Sequence, residues 1–133
     1  GVDIVADITK ENVIELGKEL TGGAGFDLAY ECAGVRASAD TCLNVLRPLG
    51  QYVQVCLFGK AIPFDMDKAL IGEKHIVNSF AAERSSFEIT LRLMKENRLK
   101  LEPFISKIYP IEQWEQAVAD TAAKAGYKFL LKP

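Results

Sequence analysis

Few side chains in this sequence have the chemistry of a catalyst. The single histidine, His75, has no cysteine or carboxylate at metal-ligand spacing, and its neighbours offer no partner to orient it as a general base. It reads as a structural loop residue. Three cysteines, Cys32, Cys42 and Cys56, are odd in number, far apart and set among apolar residues, without the Cys-x-x-Cys spacing of a redox or zinc motif. They read as small buried hydrophobes, Cys42 most simply so because it falls in a helical stripe. Asp27 and Glu31 stand four apart in an extended segment, hence on one face, where two carboxylates could work as an acid and base pair. The plainer role for Glu31, at a strand end, is to accept hydrogen bonds from nearby backbone amides. The cluster Gly22-Gly23-Ala24-Gly25 is no phosphate cradle: it follows a helix and precedes a strand, the reverse of the context in which amides at a helix N-terminus bind phosphate.

The elements that must hold these groups follow a regular order. The β-branched segment Val2-Asp3-Ile4-Val5-Ala6 reads as a strand, and 10–20, with Val13, Ile14, Gly17 and Leu20 at helical spacing, as a helix. The glycine cluster ends that helix. Residues 26–32 then read as a strand, 40–47 as a helix broken by Pro48-Leu49-Gly50, and 51–57 as a third strand. A short helix at 67–71 precedes a fourth strand, Ile76-Val77-Asn78-Ser79-Phe80. Strands alternating with helices across short loops imply parallel pairing with right-handed crossovers, an α/β architecture.

Past a boundary near 81–84 the pattern changes. Ser85-Ser86-Phe87-Glu88 matches a capping box, and Phe87, Thr90, Leu91 and Met94 form the stripe of an amphipathic helix ending near Asn97. Residues 103–109 read as extended. Pro110 introduces a helix on which Ile111, Trp114 and Val118 share a face, and 127–131 is a last strand. Helical aromatic stripes are usually core, although this one could face a partner.

Composition narrows the class. With 133 residues, 49% of them hydrophobic and 26% charged, the chain can bury roughly two-thirds of its unfolded surface, enough for a core. The net charge of −2 and the interspersed signs give no basic stripe, so neither nucleic acid nor membrane is expected as a partner. No apolar run approaches the ~20 residues of a membrane span, no signal-peptide pattern opens the sequence, and the cysteine usage fits a reducing cytoplasm. The start at Gly1-Val2-Asp3, without an initiator Met, suggests a beginning cut from something longer.

In their order and spacing, several segments resemble the second half of the zinc-type, medium-chain alcohol and polyol dehydrogenases, in the branch of sorbitol, threonine and butanediol dehydrogenases. The segments are Gly1-Val2-Asp3, Thr21 to Asp27, Glu31-Cys32-Ala33-Gly34, Leu46 to Gln51, Asn78-Ser79-Phe80, Tyr109-Pro110-Ile111-Glu112 and Lys128 to Pro133. The resemblance implies that residues 1–80 are the later strands of a Rossmann-type, dinucleotide-binding sheet. It implies that 81–133 pack on the catalytic domain of a longer parent. It also implies NAD or NADP contacts at Ala33 and Gly34, on the adenosine side, and at Val55, Cys56, Leu57, Ser79, Phe80 and Ala81, near the nicotinamide.

Departures from the family pattern accompany the match. Cys56 and Asn78 stand where many relatives have Gly, and Ala81 stands where sorbitol dehydrogenase-like enzymes often place an Arg that meets the polyol. Zinc, which polarises the substrate oxygen in that family, has no ligand set here, and the glycine turn for the pyrophosphate is absent too, so no catalytic residue is assigned and the chain alone is expected to be inactive. In the strand order 3-2-1-4-5-6, residues 2–6 and 26–32 are third and fourth, with two missing strands between them. The segment 1–20 is therefore expected to be displaced or repaired by another copy, or else the chain to have been excised from a longer protein. Two other readings stand beside this one: a zinc-free quinone or enoyl reductase of the same superfamily, and a non-enzymatic module that dimerises through the edge strand from Ile76 to Phe80.

Overall fold

Asn12 opens the first helix in the computed structural model, which describes residues 2–133. Its side-chain oxygen accepts from the Ile14 and Glu15 amides at 3.2 and 3.3 Å, satisfying donors that the first turn of α1 (Val13–Leu20) leaves free. Thr21 closes the same helix by donating its hydroxyl to the Gly17 carbonyl at 2.7 Å, and it accepts from the Gly25 amide at 2.9 Å. The chain thereby turns straight into β1 (Phe26–Glu31). Then follow α2 (Arg36–Val45), β2 (Leu46–Gln54), α3 (Met66–Ile71) and β3 (His75–Asn78). The three strands pair in parallel, as the alternation of elements predicts, and stand in the order β1-β2-β3.

Packing decides several boundaries that pattern alone misplaces. Helix α2 covers 36–45, not 40–47, because Pro48 pushes the residue before it out of the helical region, and β2 begins at once with Leu46. A bulge at residues 47–50 interrupts the pairing of β2 with β1 between Phe26 and Leu28. The last-turn carbonyl of Leu43 and the carbonyl of Leu46 both accept from the Lys74 ammonium at 2.8 Å, so a cation remote in sequence caps the C-terminal end of α2. Burial and the nearby Lys68 charge together hold the Lys74 pKa below its ordinary value. Beneath these elements Ala29, Leu46 and Tyr52 form a core against Cys42, Val45 and Phe64, with the Tyr52 and Phe64 rings edge to face at 5.6 Å.

The expected strand at 2–6 does not form; these residues are irregular. A β-branched segment becomes a strand only where a neighbour accepts its backbone hydrogen bonds, and β1 gives this one none. The expected displacement of 1–20 is only partly seen. Residues 2–6 are unpaired, whereas α1 stays packed: Gly17 is buried, so close to Phe26 that an added Cβ would lie 3.0 Å from its ring. A groove of ≈ 390 Å³, lined by Val2, Ile4, Leu16, Leu20 and Phe26 among others, runs beside them.

The chain separates into two compact units, Gly1–Ala81 and Ala82–Pro133. In the second, α4 (Arg84–Lys95) starts earlier than the capping box implied. Glu83 takes the N-cap position, Ser85 lies inside the helix, and Glu88 pairs with Arg84 at 3.0 Å in place of reaching back to a cap. Strands β4 (Ile105–Pro110) and β5 (Lys128–Lys132) pair in parallel across α5 (Trp114–Ala122). Tyr109 and Ala117 are the buried residues of this unit, and Ile111, Trp114 and Val118 are exposed.

Candidate functional site

The carboxyl ends of β1 and β2 are laced together by backbone. Both the Val55 and Cys56 amides donate to the Glu31 carbonyl, at 3.0 and 3.1 Å, and the Ser79 amide past β3 donates to the Gln54 carbonyl at 2.9 Å. Three strand ends thus stand side by side. Beyond β1 the chain turns at Gly34, whose φ of 68° lies in the left-handed region; a Cβ there would sit 2.7 Å from the Leu57 carbonyl oxygen and 2.8 Å from the Cys56 sulfur. Only glycine lets these two strand ends come so close.

Glu31 organises this corner. It is fully buried, 0% exposed. One carboxylate oxygen accepts from the Ala33 amide at 3.0 Å, the Gly34 amide at 2.9 Å and the Ser38 hydroxyl, and the other accepts from the Gln54 side-chain amide at 2.8 Å. Burial by itself pushes this carboxyl up, but the hydrogen bonds from Ser38, Gly34, Gln54 and Ala33 outweigh it and hold the group below the usual carboxylate range. The same Gln54 amide donates to the Cys56 carbonyl, and its oxygen accepts the Tyr52 phenol. Burial, then the charge of Glu31, raises the Tyr52 pKa, and the same two causes push the Cys42 thiol up to about 11.

Each residue expected at the site is found just past a strand end. Gly34 stands against Cys56 and Leu57, and Ala33 is tied beside it through Glu31. Val55 and Leu57 are 41% and 72% exposed, giving the shelf an apolar rim, and Ser79 is tied in through Gln54. Phe80 is 79% exposed, and Ala81 takes a φ of 57°. The ends form an open shelf; grooves of ≈ 390 and ≈ 360 Å³ in this unit lie beside α1 and between α2 and the segment entering α3, and one of ≈ 340 Å³ borders the ends of β2 and β3 at Gln54, Phe58 and Asn78.

Other expectations change. Asp27 and Glu31 do not pair: Asp27 turns outward opposite the bulge and accepts from Arg47 at 2.6 Å, leaving Glu31 to its amide donors, the plainer role. Cys32 is exposed, not buried. His75 opens β3, in register with Gln51, and is not in a loop. The sequence reading missed Ser38, Tyr52 and Gln54. Tyr52 and Gln54 carried a weak signal, being two apart on one strand and so on one face; Ser38 becomes visible only once the turn at Gly34 brings α2 back over β1.

Residues 1–96 match the family described as zinc-binding dehydrogenase. The chain belongs to that family. It is 31% identical to sorbitol dehydrogenase of Halalkalibacterium halodurans, over the whole of this chain and 39% of that protein. To D-arabitol-phosphate dehydrogenase of Enterococcus avium it is 27% identical, over 88% of this chain and 34% of the relative. The crystal structure of L-idonate 5-dehydrogenase from Escherichia coli superposes with a TM-score of 0.87 at 25% identity, covering 98% of this chain and 37% of that one. The chain therefore spans between 34% and 39% of the length of these relatives. The parallel α/β sheet is that of the zinc-binding dehydrogenases. Among the described residues, however, no three His, Cys, Asp or Glu side chains come together, so they do not fit a zinc ion.

Proposed function

We propose that this chain supplies the strand-end shelf on which a zinc-type alcohol or polyol dehydrogenase holds NAD or NADP. Contacts are assigned to Ala33, Gly34, Val55, Cys56, Leu57, Ser79, Phe80 and Ala81. The observation that carries the reading is the junction of Gly34 with Cys56 and Leu57, where bare backbone and an apolar rim lie at the carboxyl ends of parallel strands, the place where open α/β sheets bind ligands. A flat ring system can stack there without displacing side chains. Bound there, the nicotinamide dinucleotide supplies the hydride acceptor or donor. This chain's own share is to orient the ring edge through backbone amides and carbonyls, and to exclude water with Val55 and Leu57.

The names of the relatives, sorbitol and D-arabitol-phosphate dehydrogenase, support a polyol as substrate of the whole enzyme and favour the zinc branch over a zinc-free reductase. No catalytic step is assigned to residues of this chain, and alone it is proposed to be inactive. Its free thiols support a reducing, cytoplasmic setting. A second copy is proposed to pair at the edge of the sheet, through Ile76 to Phe80: β3 is the last strand, with Ile76 and Val77 each 38% exposed. A strict monomer in light scattering at high concentration would remove that pairing. Isothermal titration of the chain with NAD and with NADP tests the shelf. Without the glycine turn for the pyrophosphate, affinity is expected to be millimolar at best, and micromolar binding would overturn the account of what the shelf lacks.

A further inference from the structure

We propose that Glu31 is the positioning residue of this shelf: its buried carboxylate sets where the Ala33 and Gly34 backbone stands against Cys56 and Leu57. For the identity of the ligand the inference rests on the dinucleotide reading above. The geometry of the corner does not depend on it.

The turn after β1 takes the Ala33 and Gly34 amides out of the sheet ladder, and two N–H groups in a half-buried corner need an acceptor. Glu31 accepts both through one oxygen, with Ser38 as a third donor to the same atom. Its other oxygen faces the Gln54 amide, which also holds the Cys56 carbonyl. A carboxylate has acceptors only, so all four donors are satisfied at once. Glutamine could not do this. Its NH₂ would face the NH₂ of Gln54, and either the link to β2 or the pair of amides would be lost. An apolar residue would leave the Ala33 and Gly34 amides bare, with Ser38 keeping only the Val35 carbonyl and Gln54 only the Cys56 carbonyl. The cost of burying a charge is thus offset only here, where the bonds fix a backbone that would otherwise be free to relax. The groups facing Glu31 are Ser38 and Cys42 of α2, Tyr52 and Gln54 of β2, and Cys32 beside it. The Cys42 and Tyr52 protons leave only at alkaline pH, so an acid transition sensed in this corner belongs to Glu31.

The test is an acid titration of the ¹⁵N-labelled 133-residue chain followed at the Ala33 and Gly34 amides, repeated in Glu31→Gln and Ser38→Ala, with NAD⁺ added at neutral pH. Wild type is expected to show one transition shared by both amides, with a midpoint below the ordinary glutamate range. In Ser38→Ala the midpoint should rise. In Glu31→Gln the transition should vanish and NAD⁺ binding should weaken about tenfold, the size of one lost charge-assisted hydrogen bond. Amides that show no common transition in the wild-type protein overturn the proposal, and this holds even if a variant does not fold. So does a Glu31→Gln protein with unmoved amides and undiminished binding. A shared transition together with crevice resonances that ignore NAD⁺ supports the positioning role and defeats the dinucleotide reading instead.

Discussion

The two units each bury a tyrosine whose phenol is anchored in a polar cluster, yet only one of them seals a carboxylate from water. In the first, Tyr52 reaches Gln54 and, through it, a fully buried Glu31. In the second, Tyr109 of β4 donates to Asp120 of α5, which also accepts from Gln116 at 2.7 Å, but Asp120 is only half-buried. The chemistry is alike and the cover differs. Three strands and a packed helix layer surround Glu31, whereas a two-stranded sheet and a single helix flank Asp120. A buried charge is tolerated where the fold can bring several donors to it, and the second unit has too few layers to do so.

The largest expected effect lies in the core that roofs the first cluster. Tyr52→Ala removes a 2%-exposed ring together with the anchor of Gln54, and should cost about 3–4 kcal/mol in urea denaturation. Tyr109→Phe, by contrast, takes one hydrogen bond from an aspartate that water can reach, and about 1 kcal/mol is expected. Equal costs for the two tyrosines would break the comparison.

A pair of glycines sharpens it further. Gly34→Ala meets both a positive φ and atoms nearer than 3 Å, and should destabilise by about 2 kcal/mol while displacing the Cys56 resonance. Gly59 has a φ of 70° with nothing within 4 Å of an added Cβ, so Gly59→Ala should cost about 1 kcal/mol, from backbone strain alone. If the two cost the same in thermal melts, the close approach at Gly34 carries no weight.

The smallest effect near neutrality is in pH. The Glu31 carboxyl is held below its ordinary value in the folded protein, so its stabilisation is fully present above the free glutamate pKa of about 4.3. It is lost as pH falls through the lower folded value. Asp120, lowered chiefly by the Tyr109 hydrogen bond and then by Gln116, has the same sign. Stability measured from pH 6 downward should fall less steeply in Glu31→Gln than in wild type; identical slopes would deny Glu31 any linkage to folding.

Much of the first unit was legible from residue patterns. Alternating strands and helices, with glycines at 22, 23, 25 and 34, imply parallel pairing, which is observed, but the strands end earlier than expected, at Glu31, Gln54 and Asn78 in place of 32, 57 and 80, because backbone past those points bonds across the strand ends and no longer along the ladder. Less legible was where elements begin. The segment 2–6 has the residues of a strand and no partner, the box at Ser85 has the residues of a cap and sits inside a helix, and the carboxylates at 27 and 31 have a shared face and no contact. In each case a local preference depends on a neighbour that the local sequence does not contain.

What the residues settled by themselves is the class of the fold and the alternation of its elements from 10 to 80, because hydrophobic periodicity and turn residues act over a few positions and need no distant contact. What only the tertiary structure decided is the hydrogen-bonded corner at Glu31. Gln54 lies 23 residues from it in sequence and Ser38 seven, and they become its partners only when parallel pairing and the turn at Gly34 bring their side chains to the same buried point. No pattern in the chain ranks those donors above others. The exclusion of water at that point makes them necessary.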